Sequence, residues 1–117
     1  MSLEWEQVII DSKDPTSLGN WWKTALGWVT VDDDPEVFEI RAAADRAPGM
    51  LFLRSGNAKT AKNRLHFDFR PDDQVAEVER LLGLGASRVD IGQGDETWVV
   101  LADPEGNEFC VLSSSTD

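Results

Sequence analysis

Leu65-His66-Phe67-Asp68-Phe69-Arg70-Pro71-Asp72-Asp73 changes period in its middle, and that change decides the fold. From Leu65 to Arg70 apolar and polar side chains alternate strictly, the two-residue period of a strand with one buried face. Pro71-Asp72-Asp73 then opens a helix, because an Asp there accepts from the orphan amides of a first turn. Val75, Val78, Leu81 and Leu82 follow at helical spacing as its apolar stripe. Glycines over 83–85 close it. Residues 87–91, 97–102 and 109–112 read as three further strands. The last two are joined by Asp103-Pro104-Glu105-Gly106-Asn107, whose Pro and Gly suit a tight turn.

The first half of the chain runs through the same order. Residues 5–12 alternate, with Val8 and Ile10 on one face and Gln7, Ile9 and Asp11 on the other. Asp14-Pro15 opens a helix whose stripe is Leu18, Trp21, Trp22, Ala25 and Leu26, and Gly27 stops it. Residues 28–31, 37–42 and 50–54 read as strands, with Asp32-Asp33-Asp34-Pro35 as a turn and Pro48-Gly49 in a loop. Laid together, Gln7 falls opposite His66, Asp14 opposite Asp73, and Phe52 opposite Cys110. Leu26-Gly27 falls opposite Leu84-Gly85 with one residue of slippage. Each half is β-α-β-β-β, about 55 residues, too small to bury both faces of its sheet alone. The expected fold is therefore α+β: one domain over 1–117, with module one at 4–57 and module two at 62–113. Its two tandem β-α-β-β-β modules form a curved mixed sheet of about eight strands, with the helices on the outer face. The short polar stretch 57–63 links them.

Charge and cysteine usage narrow the function. Eleven Lys and Arg stand against 22 Asp and Glu, a net charge of −11. Phosphate backbones and anionic membrane surfaces repel such a chain, so neither nucleic acid nor membrane is an expected partner. No apolar run approaches the roughly 20 residues that span a bilayer. No basic region precedes a hydrophobic stretch at the N-terminus, so the expected location is the cytoplasm. Cys110 is the single cysteine, which rules out an internal disulfide and any multi-cysteine metal cluster. The Asp32-Asp33-Asp34 run lacks the spaced ligands of a calcium loop. Gly83-Leu84-Gly85 follows a helix rather than a strand, the reverse of a dinucleotide fingerprint.

With both halves in view, the chain resembles the vicinal oxygen chelate superfamily, the glyoxalase and bleomycin-resistance fold, and within it the glyoxalase-like domain proteins. Val8-Ile9-Ile10-Asp11, Asp14-Pro15, Trp21-Trp22 and Ala25-Leu26-Gly27-Trp28 carry the likeness in the first half. Leu65-His66-Phe67-Asp68, Leu84-Gly85-Ala86 and the Asp103–Phe109 turn and strand carry it in the second. The resemblance implies a small-molecule ligand in a concave sheet cleft, though the fold hosts several chemistries. Metal-binding members place ligands at one position in each first strand and one near the end of each last strand. Carried over, these positions are Gln7, Phe52, His66 and Cys110. Phe52 cannot ligate, and Cys110 stands where a carboxylate is usual, so no cofactor is expected. The alternative is a metal-dependent lyase, isomerase or dioxygenase whose divalent metal is held by Gln7, His66 and Cys110.

Alternation places His66 beside Asp68 and Arg70, opposite Leu65, Phe67 and Phe69, with Gln7, Asp11, Arg54 and Arg70 pointing the same way. His66 is the candidate acid or base. Gln7, Asp11, Phe52, Arg54, Asp68, Arg70 and Cys110 are the candidate ligand-binding residues. Cys110, in an apolar strand, reads as a small buried hydrophobe rather than a nucleophile. The net acidity favours a cationic ligand, while Arg54 and Arg70 leave an anionic one open. Adjacent Trp21 and Trp22 cannot both face one core, and an isolated sheet leaves an open edge, so a homodimer is expected. Sedimentation velocity across the micromolar range should give a dimer; a monomer throughout would contradict it.

Overall fold

A computed structural model describes residues 3–56, 65–89 and 97–114; the expected linker and positions 90 and 91 of the expected sixth strand lie outside them. The chain divides into two compact units, Met1–Ala58 and Lys59–Asp117. The first contains β1 (Gln7–Ser12), α1 (Pro15–Leu26), β2 (Val29–Asp34), β3 (Val37–Arg41) and β4 (Gly49–Arg54). The second contains β5 (Phe67–Phe69), α2 (Gln74–Leu84), β6 (Ser87–Arg88), β7 (Val99–Ala102) and β8 (Glu108–Val111). Their sheets have the same order, β1-β4-β3-β2 and β5-β8-β7-β6. In each, the first and last strands pair in parallel and the other pairs are antiparallel. The fold is α+β, two β-α-β-β-β modules, each a four-stranded mixed sheet with one helix.

The helices begin and end where the chemistry of caps dictates. Asp14 and Asp73 each use Oδ1 to accept a first-turn amide, from Ser17 and Ala76, both at 3.1 Å. Gly27 and Gly85 end them in the left-handed region, at φ 68° and 117°. That conformation turns the Gly27 N–H onto the Lys23 carbonyl and the Gly85 N–H onto those of Leu81 and Leu82.

In the first module α1 lies over the face of the sheet carrying Ile10, Phe52 and Phe38, which sit side by side on three neighbouring strands. Leu18, Trp22 and Ala25 are the helix's buried stripe. Gly19 is what lets the helix approach, because a Cβ there would overlap the Phe38 ring. Trp21 packs edge-on against Trp22 with ring centroids 5.0 Å apart, so it is half-buried within the module.

Three local expectations are corrected. The acidic run is strand, not turn: Asp32, Asp33 and Asp34 pair with Glu39, Phe38 and Val37 after a bulge at Val31. Only Pro35 and Glu36 turn, with Asp34 Oδ1 accepting the Glu36 amide at 2.9 Å. Three acids on an edge strand repel further pairing. Val75 is 67% exposed, not part of the α2 stripe. Gln74 takes its place, donating through Nε2 to the Thr97 and Val111 carbonyls at 2.8 and 3.1 Å. Gln74, Val78 and Leu81 form the inward line of that helix, Val78 and Leu81 being its buried residues. The fifth strand is shorter than its alternating sequence, covering only Phe67–Phe69.

The turn before β8 is built on a buried carboxylate. Asp103 Oδ1 accepts the Glu105 and Asn107 amides at 2.9 and 3.0 Å, and Asn107 Nδ2 lies 3.0 Å from Oδ2. Gly106 takes the positive φ, 91°, that the reversal requires. Among the described residues, neither helix is long and apolar enough to cross a membrane.

Two variants check this packing. Gly19→Ala should destabilise by about 1–3 kcal/mol through overpacking against Phe38. Asp103→Ala should lose about 1–3 kcal/mol by orphaning the turn amides. Urea unfolding of both variants measures these losses; an unchanged midpoint in either would contradict the packing described.

Candidate functional site

Register decides which residues share a face. In the second module Asp68 pairs with Cys110, and Cys110 with Val100. Phe67, Phe69, Phe109 and Val111 occupy the opposite face. Phe69 meets Phe109 edge-on at 5.9 Å and Phe67 at 6.1 Å. The apolar inner line of α2 matches this aromatic face, so the face bearing Asp68 and Cys110 is the one left for chemistry. His66 stands two residues before Asp68, just outside β5, and is not held by the ladder. Its Nε2 lies 3.2 Å from Asp68 Oδ1, and the two side chains are 46% and 50% exposed. Cys110 is 5% exposed, buried as expected. The donor atoms of His66, Asp68 and Cys110 all lie within 4.8 Å of one another. The sequence reading left His66 without a partner; an acid two residues along the same strand face was the available signal.

The first module presents a corresponding face with different chemistry. Gln7, Ile9 and Asp11 pair with Gly49, Leu51 and Leu53 across the parallel ladder, and Leu51 pairs with Glu39 on its other side. Gln7 and Asp11 therefore share a face, as expected. Phe52 does not share it. It is 0% exposed, in the row with Ile10 and Phe38 beneath α1. Since His66 is to Asp68 as Gln7 is to Ile9, the position matching Cys110 is Leu51, one residue earlier than Phe52. A one-residue slip in a strand exchanges its two faces, which is why matching the two halves residue for residue misplaces it.

That face also holds a charged network the sequence reading missed. Glu39 is 9% exposed, and its Oε2 accepts from Arg41 Nε at 2.9 Å. Arg41 Nη2 reaches Glu6 Oε2 at 2.7 Å. The two carboxylates hold the Arg41 pKa above its ordinary value, Glu6 contributing most. Gly49 makes room, because a Cβ there would overlap the Glu39 carboxylate. The visible signal was a charge set inside the apolar strand Val37-Phe38-Glu39-Ile40.

Of the two expected ligand arginines, Arg54 lies on the other face, and both bind groups of their own module. Arg54 pairs with Ser12, placing it on the Ile10 face. It binds Glu36 Oε2 and the Lys13 carbonyl, each at 2.7 Å, and the Pro35 carbonyl at 3.0 Å. Arg70 donates to the Ser113 carbonyl at 2.7 Å. Each arginine thus ties together the ends of the parallel first and last strands of its module, one acting from the last strand and the other from just after the first.

The four positions at which metal-binding members of the resembled superfamily carry ligands do not make a full donor set here. Gln7, His66 and Cys110 offer donors, but Leu51 offers none, and Phe52 is in the core. Glu39 brings a carboxylate to the first module's face, but Arg41 holds it. Removing that guanidinium leaves a buried carboxylate uncompensated. Arg41→Met should therefore destabilise the protein clearly, while Glu39→Leu combined with Arg41→Met should recover most of the loss. Chemical unfolding of the two variants decides it; equal loss in both would show the pair is not coupled.

Comparison with known proteins agrees with this architecture. A family model described as glyoxalase-like domain matches residues 7–112. A glyoxalase/bleomycin resistance protein/dioxygenase family enzyme from Burkholderia phytofirmans PsJN is similar in structure, with TM-score 0.71 and 16% identity over 93% of this chain and 97% of its own. The bleomycin-binding protein of Streptomyces verticillus, solved with copper(II)-bleomycin, gives TM-score 0.64 and 14% identity over 98% and 99%. The fosfomycin resistance protein of Listeria monocytogenes, solved with Mn(II), gives 0.69 and 12% over 99% and 93%. No curated protein sequence matches the chain. With the family model spanning both modules, the chain belongs to the glyoxalase-like domain family.

Proposed function

We propose that the chain binds a small molecule on the polar sheet face of its second module, without a metal centre built from the four superfamily positions. The observation that carries this reading is the half-exposed His66–Asp68 pair beside the buried Cys110 and Val100 on one sheet face. Exposed polar groups over an apolar base are what orient a small ligand while excluding water from one side of it. A metal-dependent lyase, isomerase or dioxygenase needs a further oxygen donor that neither Leu51 nor Phe52 provides.

Charge favours a cationic or hydrogen-bond-donating ligand. Asp68 and Glu108 lie on this face, while Arg70 is engaged at Ser113 and Arg54 serves the first module's strand ends. The protein's net charge of −11 adds a long-range attraction for cations. His66 supplies a donor or acceptor oriented by the Asp68 carboxylate.

Calorimetric titration with matched cationic and anionic aromatic compounds, at low and moderate salt, tests this. The cation should bind and the anion should not, with affinity falling as salt screens the field. Asp68→Asn should weaken the cation by roughly tenfold, the scale of one charge-assisted hydrogen bond. Arg70→Ala should leave that affinity within about twofold. Binding of anions alone, abolished by Arg70→Ala, would overturn the reading.

A further inference from the structure

We infer that the ligand of the second module's polar sheet face is a flat aromatic cation with an N–H-bearing head, an arylamidinium or arylguanidinium, and that Trp98 is the wall on which its ring stacks. This deepens the reading of that face as a ligand surface and rests on it. Asp68 is the partner of the head. Its Oδ1 lies 3.2 Å from His66 Nε2, while Oδ2 makes no hydrogen bond with a described residue. A half-exposed carboxylate fixed through one oxygen keeps lone pairs for two parallel N–H donors. Planar amidinium and guanidinium groups present that pair of donors, and a point-charge ammonium does not. An anionic head would set like charges together at Asp68.

The row of residues across the sheet sets the shape of the ligand. Asp68, Cys110 and Val100 are successive register partners on β5, β8 and β7. Cys110 and Val100 are small and apolar, so an aromatic body running along that row passes no polar side chain. Phe67, Phe69 and Phe109 all belong to the opposite face. Trp98 stands two residues before Val100, at the head of β7, where the strand's alternation puts it on the face of Val100 and Cys110. It is half-buried. Among the described residues its indole makes no aromatic contact and no hydrogen bond, whereas Trp21 and Trp22 pack against each other. Two strand spacings and one pleat set Asp68 and Trp98 roughly 12 Å apart at Cα. Less the reach of the two side chains, that is the length of a one- or two-ring ligand. One aromatic wall suits a flat cation; a quaternary ammonium group is held by rings on several sides and brings no N–H donor.

The test titrates the full chain by calorimetry with benzamidine, phenyltrimethylammonium and acetamidine, with a chelator present so that no metal bridges ligand and protein. Benzamidine should bind about tenfold more tightly than phenyltrimethylammonium, which lacks the paired donors, and about tenfold more tightly than acetamidine, which lacks the ring. Trp98→Ala should weaken benzamidine by roughly tenfold and leave acetamidine within about twofold. Trp98→Phe, which keeps a smaller ring in place, should weaken benzamidine by only about threefold and guards against loss of fold in the alanine variant. Asp68→Asn should weaken both amidines. In the parent, the indole N–H resonance that Trp98→Phe removes should shift with benzamidine and stay in place with acetamidine. Equal binding of benzamidine and phenyltrimethylammonium, or benzamidine affinity unchanged in both Trp98 variants, would overturn the inference while leaving a cation site at Asp68. No binding of any of the three cations would overturn this inference and the reading beneath it together.

Discussion

The parallel ladder between the first and last strands of each module is the constraint on which the rest depends. It sets Ile9 beside Leu51 and Asp68 beside Cys110, and so decides which side chains meet beneath the helix and which share the opposite face. The helix-side rows are apolar in both modules: Ile10, Phe52 and Phe38 in the first, Phe69, Val111 and Val99 in the second. Because the strand period is two, no residue can serve both faces, and each alternating polar residue is delivered to the other side. A slip of one residue would bury Asp68 under α2 and push Phe69 into water. That penalty makes the register unique.

Polar groups divide by whether they serve the fold or remain for a ligand. Asp14 and Asp73 cap helices, Asp103 organises a turn, and Arg54 and Arg70 bind carbonyls at strand ends. Glu39 and Arg41 neutralise one another in a half-buried network with Glu6. The His66–Asp68 pair differs: it satisfies no backbone group among the hydrogen bonds described, and it stands at the surface beside a buried sulfur. Six of the 22 acids behind the formal charge of −11 serve helix caps, a turn and an acidic edge strand. That formal charge speaks to the ligand's charge only through the few acids on the exposed sheet face.

Most of the fold was legible in the sequence, because periodicity and punctuation are local. The change of period at Pro71, the Asp caps, the glycine stops and the Asp103–Asn107 turn each act within a few residues, and the repeat doubled every signal. What failed was non-local. Asp32-Asp33-Asp34 has turn composition, yet pairing with β3 outweighed it. Val75 fits a helical stripe, but the first inward position of α2 went to Gln74, whose amide reaches two carbonyls. The candidate site was legible in part. His66, Asp68 and Cys110 were singled out, but their grouping was not, since it depends on which residue of β8 stands against which residue of β5. Phe52 and Arg54 were misplaced for the same reason, as an alignment of two halves carries no information about ladder register.

Register is therefore the claim to test most directly, and backbone nuclear Overhauser effects in isotopically labelled protein report it. Cross-strand contacts should join Asp68 to Cys110, Phe69 to Val111 and Ile9 to Leu51, with the Phe52 side chain meeting both Ile10 and Phe38. Contacts joining Ile9 to Phe52, or Asp68 to Phe109 or Val111 as direct partners, would move Phe52 onto the Gln7 face or separate Asp68 from Cys110, and the account of the site would be wrong.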